Sequence, residues 1–217
     1  MKSKIILASI SILLFIMSTN AQIQKNFFVD DANGVDFVRF NVCVNDEAKI
    51  YKVEVIPDKT TYTNETIIKQ LKEYLLGIQF YPDSTLRNNC YETTSTLVNS
   101  KYQDATTKGQ KIEKGFPFLK GDFRYKNPVY SISKVKRKKH VQREIGTHDK
   151  QIYTIEWLST REYTLIYKRM TRKQLKQHIG KSINVEILEV FPDSSYVYKS
   201  TGDHFDWTTY GVMKKIK

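Results

Sequence analysis

The sequence predicts an α+β protein made of two sheet-based units, a strand-strand-helix-strand unit followed by an antiparallel β-meander. Residues 36–102 contain two alternating strand patterns, an amphipathic helix and a third strand pattern. Residues 115–217 contain several short alternating segments joined by turn residues. The polar, aperiodic segment 103–114 predicts a linker between the two units.

Charge also divides the chain at this linker. Residues 22–104 hold 9 Lys and Arg against 12 Asp and Glu, whereas residues 105–217 hold 24 against 11. The net charge is therefore −3 in the first part and +13 in the second. A basic second unit favours an anionic partner, such as a lipid or polysaccharide surface.

Residues 1–21 predict a signal peptide. Lys2 and Lys4 precede the apolar run 5–17, and small residues lead to Ala21. A 13-residue helix spans about 20 Å, less than the ~30 Å of a bilayer core, so we expect cleavage after Ala21. A short uncleaved anchor is the alternative. We expect a periplasmic or secreted protein without a transmembrane segment after processing, and residues 22–35 as an N-terminal extension.

The first unit has clear local signals. Residues 37–44 and 50–56 alternate as a hairpin, and residues 91–98 predict a third strand rich in Thr and Val. Between them, Glu65–Leu76 has the apolar spacing of a helix, with Thr63 or Asn64 as its cap. Gly77 stands where a helix commonly ends in a left-handed residue. Asn64 also begins a glycosylation motif, but we interpret it as a helix cap.

This order resembles the C-terminal domain of TonB, an energy-transducing protein of Gram-negative envelopes. The resemblance is carried by FxVxV in residues 37–44, IxxVxV in residues 50–55, the helix, and Phe80-Tyr81-Pro82. It implies a module that captures a partner's extended strand at the edge of its sheet. A membrane anchor and a Pro-rich linker are not visible, so energy transduction is not implied.

Cys43 and Cys90 are the two cysteines, and both lie in this unit. An even number in an exported chain favours a disulfide, with two free buried thiols as the alternative.

The second unit predicts a meander that rolls into a half-open barrel or a curved sheet. Its strand segments are 121–125, 132–145, 151–157, 162–169, 183–191, 195–200 and 208–216, with a short helix at 171–178. This half resembles small secreted lipocalin-like proteins of Gram-negative bacteria, on residues 121–125, 155–167 and 179–190. The resemblance implies no single activity.

A basic segment is the strongest charge feature of the second unit. It predicts a patch for an anionic partner, or else a solvated hairpin whose charges protect a sheet edge. The patch residues are Lys134, Lys136, Arg137, Lys138, Lys139 and Arg143. Nucleic acid is a poor candidate partner, because the chain is expected to be exported and has no recognition motif.

An aromatic stripe in the same unit either fills the core or lines a ligand cavity. Its members are Tyr153, Trp157, Tyr163, Tyr167, Tyr196, Tyr198 and Trp207.

The four histidines do not form a motif. His148 and His204 lie near aspartates, as a hydrolase would require, but nucleophile and zinc motifs are absent from the sequence. We therefore expect no enzyme, no cofactor and no metal site. The leading hypothesis is a binding protein of the cell envelope that uses the edge of the first sheet. A carrier of a lipid or small apolar ligand is the alternative, and a hydrolase comes third.

Overall fold

The computed structural model describes residues 26–107, 116–128, 130 and 132–217. The predicted signal peptide and most of the linker lie outside these residues. The first unit is a four-stranded mixed sheet with one helix, α1 (Glu65–Leu76). Its strands are β1 (Asn26–Val29), β2 (Val35–Val44), β3 (Ile50–Val55) and β4 (Asn89–Asn99), in the spatial order β1-β4-β2-β3.

Strand β1 lies within residues 22–35, for which the sequence predicts only an N-terminal extension. It pairs parallel to β4, with Asn26 opposite Thr96 and Val29 opposite Asn99. Strand β4 therefore lies inside the sheet, between β1 and β2, and not at its edge. A four-residue strand gives little sequence signal, and only its parallel partner, about 70 residues later, fixes it in place.

The alternation in β2 determines what each face of the sheet contacts. Val38, Phe40, Val42 and Val44 are buried on one face with Leu71 and Leu75 of the helix. Asn64 caps the helix as predicted, because its side chain accepts from the backbone N–H groups of Thr66 and Ile67. Gly77 ends the helix with a right-handed φ of −77°, so the predicted left-handed ending is wrong.

The predicted disulfide between Cys43 and Cys90 is present. The two residues are direct cross-strand partners of β2 and β4, with an S–S distance of 2.01 Å. Both thiols are consumed, which excludes the alternative of two free cysteines.

The second unit is a closed barrel of eight antiparallel strands. They are β5 (Gly121–Tyr125), β6 (Ile132–Lys138), β7 (Val141–Gly146), β8 (Lys150–Trp157), β9 (Glu162–Met170), β10 (Ser182–Val190), β11 (Ser195–Gly202) and β12 (Phe205–Lys215). Each strand pairs with the next, and β12 pairs with β5 through Met213 and Tyr125. The predicted half-open barrel is therefore wrong, because the first and last strands join. The predicted short helix is a 3₁₀ turn, Lys173–His178.

The sheet packs on the outer wall of the barrel. Val35, Phe37 and Val98 come from the sheet face opposite the helix, and they contact Val197 and Tyr210 of β11 and β12. All of these side chains are buried. The two units therefore share an apolar interface.

The start of the predicted linker also lies against the barrel. Glu186 of β10 accepts from the Thr106 hydroxyl at 2.9 Å and from the Thr107 backbone N–H at 3.0 Å. Lys199 donates to the carbonyl of Ala105 at 2.6 Å. Residues 105–107 are thus bound to the barrel wall.

Candidate ligand site inside the barrel

One end of the barrel is closed by side chains. Phe118 is buried beneath the strands, where its ring contacts that of Tyr196 at a centroid distance of 4.9 Å. The guanidinium of Arg137 lies over the rings of Phe123 and Tyr163, 4.7 Å from each centroid. The ring faces attract the positive charge of Arg137, and the rings themselves fill this end of the barrel.

Arg137 is held there by hydrogen bonds. It donates to the Phe118 carbonyl at 3.0 Å, to the Gln142 side chain at 3.0 Å and to the Tyr163 hydroxyl at 2.9 Å. It also donates to the Tyr196 hydroxyl at 3.1 Å. Only 2 % of Arg137 is exposed. An arginine remains charged in proteins, so a permanent positive charge stands at the base of the lumen.

Above this base lies a cavity of about 310 Å³. Its walls combine tyrosines and aliphatic side chains with a few polar groups, a composition typical of small-molecule sites. The lining residues include Tyr125, Tyr130, Gln142, Glu144, Gln151, Tyr153, Leu165, Val185, Tyr198 and Thr209.

Glu144 is the acidic group in this cavity wall. Its Oε1 accepts from the Tyr125 hydroxyl at 2.6 Å and from the Gln142 amide at 2.7 Å. Burial raises the pKa of Glu144 above its ordinary value, although these two donors and the charge of Arg137 act in the opposite direction. Burial also keeps the pKa of Tyr125 well above its usual range, so its hydroxyl remains a donor.

Tyr198 reaches into the cavity across Gly211, its cross-strand partner on β12. A Cβ atom at position 211 would lie 2.5 Å from the Tyr198 hydroxyl oxygen. Any larger residue there would have to displace the ring, so glycine is needed for this approach.

The opposite end of the barrel forms the mouth. Tyr130, 42 % exposed, and the half-buried Thr209 line the cavity there. The β9–β10 and β11–β12 connections lie at the same end, because alternate turns of an up-and-down barrel share an end. They bring His178 and His204 together, with ring centroids 4.3 Å apart.

The histidine pair lies beside the tyrosines of the lumen. The Tyr167 hydroxyl is 3.4 Å from His204 Nε2, and the Tyr167 ring lies 4.8 Å from that of Tyr153. Burial, together with the charges of His178 and Lys181, lowers the pKa of His204, and Asp203 acts against this. We define this pair as the rim histidines.

Comparisons with known proteins found no match among family models, curated proteins or solved structures.

The predicted basic patch is divided between the two sides of the barrel wall. Lys136, Lys138, Lys139 and Arg143 are exposed, and Lys134 is half-buried and forms an ion pair of 2.9 Å with Asp122. Arg137 does not belong to the surface, since it lies inside the lumen. Alternation explains this correction: Val135 faces inward, so Arg137, two residues later, also does.

The other sequence-predicted residues are distributed as follows. Tyr153, Tyr163 and Tyr198 line the cavity, whereas Tyr196 packs at the closed end. Trp207 is 44 % exposed and lies outside the barrel core. The aromatic stripe therefore serves both as core and as cavity wall.

The histidines predicted for catalysis are not brought together with a nucleophile. His148 is exposed, and its neighbour Asp149 accepts from Arg172 instead. His204 pairs with His178, which the sequence did not suggest. Within residues 26–107, 116–128, 130 and 132–217, no group of three or more His, Cys, Asp and Glu could hold a metal. In the same ranges, no helix is long and apolar enough to cross a bilayer.

Gln142 and Glu144 were not predicted as site residues. In β7 the apolar residues Val141 and Ile145 are only half-buried, whereas Gln142 and Glu144 are buried. If the apolar residues of β7 are assigned to the barrel interior, the wrong face of the strand is predicted to be buried. Counting inward from Arg137 across the hairpin would have found Gln142, its direct partner in the pairing.

Proposed function

We propose that this protein is a non-enzymatic, exported carrier that binds a small, largely apolar molecule inside its eight-stranded barrel. The observation that supports this most directly is the cavity of about 310 Å³ above the Arg137 base. Many eight-stranded barrels are filled by their own side chains, so a lined cavity with a mouth favours binding. Export is supported by the leader-like N-terminus and by the Cys43–Cys90 disulfide.

The volume sets the size of the ligand. About 310 Å³ lies at the lower end of the range for small-molecule sites, which favours a compact molecule over a long-chain lipid. Tyrosine rings and aliphatic side chains would supply most of the contact area. The few polar groups would fix the orientation of the ligand.

The experiment compares two substitutions at adjacent residues of β10. Val185 is buried and lines the cavity, whereas Asn184 is exposed on the outer wall. Val185→Phe should fill the lumen and weaken binding of the fluorescent probe N-phenyl-1-naphthylamine about tenfold or more. Asn184→Phe adds a similar ring outside the barrel and should bind the probe as the wild type does.

Circular dichroism and thermal unfolding would verify that both variants fold. Binding by Val185→Phe at wild-type affinity would contradict a site in the lumen. Absence of probe binding to the wild type would contradict the proposal more directly.

A second candidate is strand capture at the edge of the first sheet, which the resemblance to the TonB C-terminal domain implies. The segment 91–98 is not a free edge along its whole length, because β1 pairs with Thr96–Asn99. Its earlier part, residues 89–95, pairs only with β2 in the described chain, and this observation favours the candidate. Edge pairing would provide backbone hydrogen bonds to a partner strand.

The test of this candidate is affinity capture from the native envelope. Thr93→Lys with Thr94→Lys should abolish retention of a strand partner, since edge lysines oppose pairing. A partner retained equally by the variant and the wild type would contradict capture at this edge.

A further inference from the structure

We propose that the barrel binds a small organic amine, with its ammonium group against Glu144 and its body among the tyrosine rings. This inference rests on the proposed function, since it requires a ligand in the lumen. It is carried by the position of Glu144, the partners of that carboxylate, and the rings around it.

Glu144 is a buried acid without a direct counter-charge. It is 6 % exposed, and none of the ion pairs found among the described residues includes it. Arg137 is the cation on its inner side, but the Gln142 side chain connects the two, accepting from Arg137 and donating to Glu144. A buried carboxylate is costly unless a positive charge is near, so a cationic ligand would compensate this group.

The hydrogen bonds of Glu144 leave room for a ligand. The Tyr125 hydroxyl and the Gln142 amide both donate to Oε1, the Tyr153 hydroxyl lies within hydrogen-bonding reach of the carboxylate, and the side chain lines the cavity. An ammonium group has three donors and no acceptor. It therefore matches the remaining acceptor capacity of this carboxylate better than an anionic or purely apolar group would.

Tyrosine rings surround the same space. The rings of Tyr125 and Tyr130 meet edge to face at 5.0 Å, and those of Tyr125 and Tyr198 lie 6.3 Å apart. Tyr153, on the neighbouring strand β8, also lines the cavity. Aromatic faces attract ammonium groups most strongly when water is excluded, and clusters of rings are a known means of holding them.

The alternatives are an anion and a neutral molecule. An anion would be favoured by Arg137 at the base, but this side chain does not line the cavity and donates to protein groups. Lysines near the mouth, such as Lys173 and Lys176, are exposed and do not line the cavity either. A neutral hydroxyl could donate to Glu144 but would leave the buried charge uncompensated. The lining therefore favours the amine over both.

Three probes with a common phenol ring distinguish these classes: tyramine, 4-ethylphenol and 3-(4-hydroxyphenyl)propionate. Isothermal titration calorimetry should show that the wild type binds tyramine about tenfold or more tightly than either of the others, as expected for a hydrogen bond to a charged group. Glu144→Gln should remove this preference and leave 4-ethylphenol binding within about threefold of the wild type. Near-UV circular dichroism would establish that the variant is folded.

Glu156→Gln provides the matched control, because Glu156 is exposed on the neighbouring strand β8. It should bind all three probes as the wild type does. If 4-ethylphenol or the propionate binds as tightly as tyramine, the amine is wrong and lumen binding stands. If none of the three binds while N-phenyl-1-naphthylamine does, the amine is again wrong. Failure of the dye as well would contradict the carrier function itself.

Discussion

Replacing both Cys43 and Cys90 with alanine is expected to lower the free energy of unfolding by about 4 kcal/mol. The disulfide joins residues 47 positions apart, so it closes a loop of about this length in the unfolded chain. In the loop-entropy model, closing such a loop lowers the conformational entropy of the unfolded chain by about 14 cal/mol/K, which corresponds to about 4 kcal/mol at 25 °C. Its two ends are cross-strand partners, so the bond constrains the β2–β4 ladder in which it lies.

Urea unfolding is the appropriate assay, with circular dichroism as the probe for both units. Trp157 and Trp207 both lie in barrel strands, so tryptophan fluorescence reports the barrel alone. Because the two units share a buried apolar interface, we expect both signals to shift together. Wild-type protein under reducing conditions should match the double variant. A loss below about 1 kcal/mol would refute the loop-closure reasoning.

Three further perturbations probe the lumen and the rim. Arg137→Met should lower the free energy of unfolding by about 3 to 5 kcal/mol in urea melts, because it leaves buried acceptors unpaired, whereas Lys136→Met on the outer wall should change it by less than about 0.5 kcal/mol. Burial raises the pKa of Glu144. The contribution of Glu144 to stability is therefore present at a pH below the ordinary pKa of a glutamate and is lost as the pH rises through the raised pKa. Thermal unfolding of unliganded Glu144→Gln should lack this decline, and an unchanged profile would contradict the assignment. Burial and the adjacent histidine lower the pKa of His204, so its stabilising contribution is present above pH ~6.5 and is lost as the pH falls through the lowered value. His204→Gln should flatten this loss in thermal melts, while His148→Gln, on an exposed side chain, should keep it.

Local patterns in the sequence were sufficient to predict the helix and most of the strands. The helix Glu65–Leu76 and its Asn64 cap occur as predicted, because spacing and capping act within a few residues. The strands of the meander also occur near their predicted positions, and the predicted segment 132–145 contains two of them with a turn between. The disulfide was predictable from count and location, although its geometry was not.

The polar residues of the candidate site were not predicted from the sequence. Arg137 lies in a run of lysines, a pattern typical of a surface, yet strand alternation places it in the lumen. Glu144 was missed because β7 turns both Gln142 and Glu144 inward, where Gln142 accepts from Arg137 and donates to Glu144. A buried polar network reverses the rule that apolar residues face the core, and it is recognised only when all its members are seen together.

The sequence by itself determined the order of most elements, the division into an acidic and a basic unit, and the cysteine pair, and export of the protein stays a prediction from it. These properties depend on composition and on periodicities of two to four residues, which are read directly along the chain. The tertiary structure alone decided that β12 meets β5 to close the barrel and that β1 makes β4 an interior strand. It also brought His178 to His204 and left a cavity beside Glu144. These contacts join residues far apart in sequence, and they depend on how complete strands pack, which local patterns do not specify.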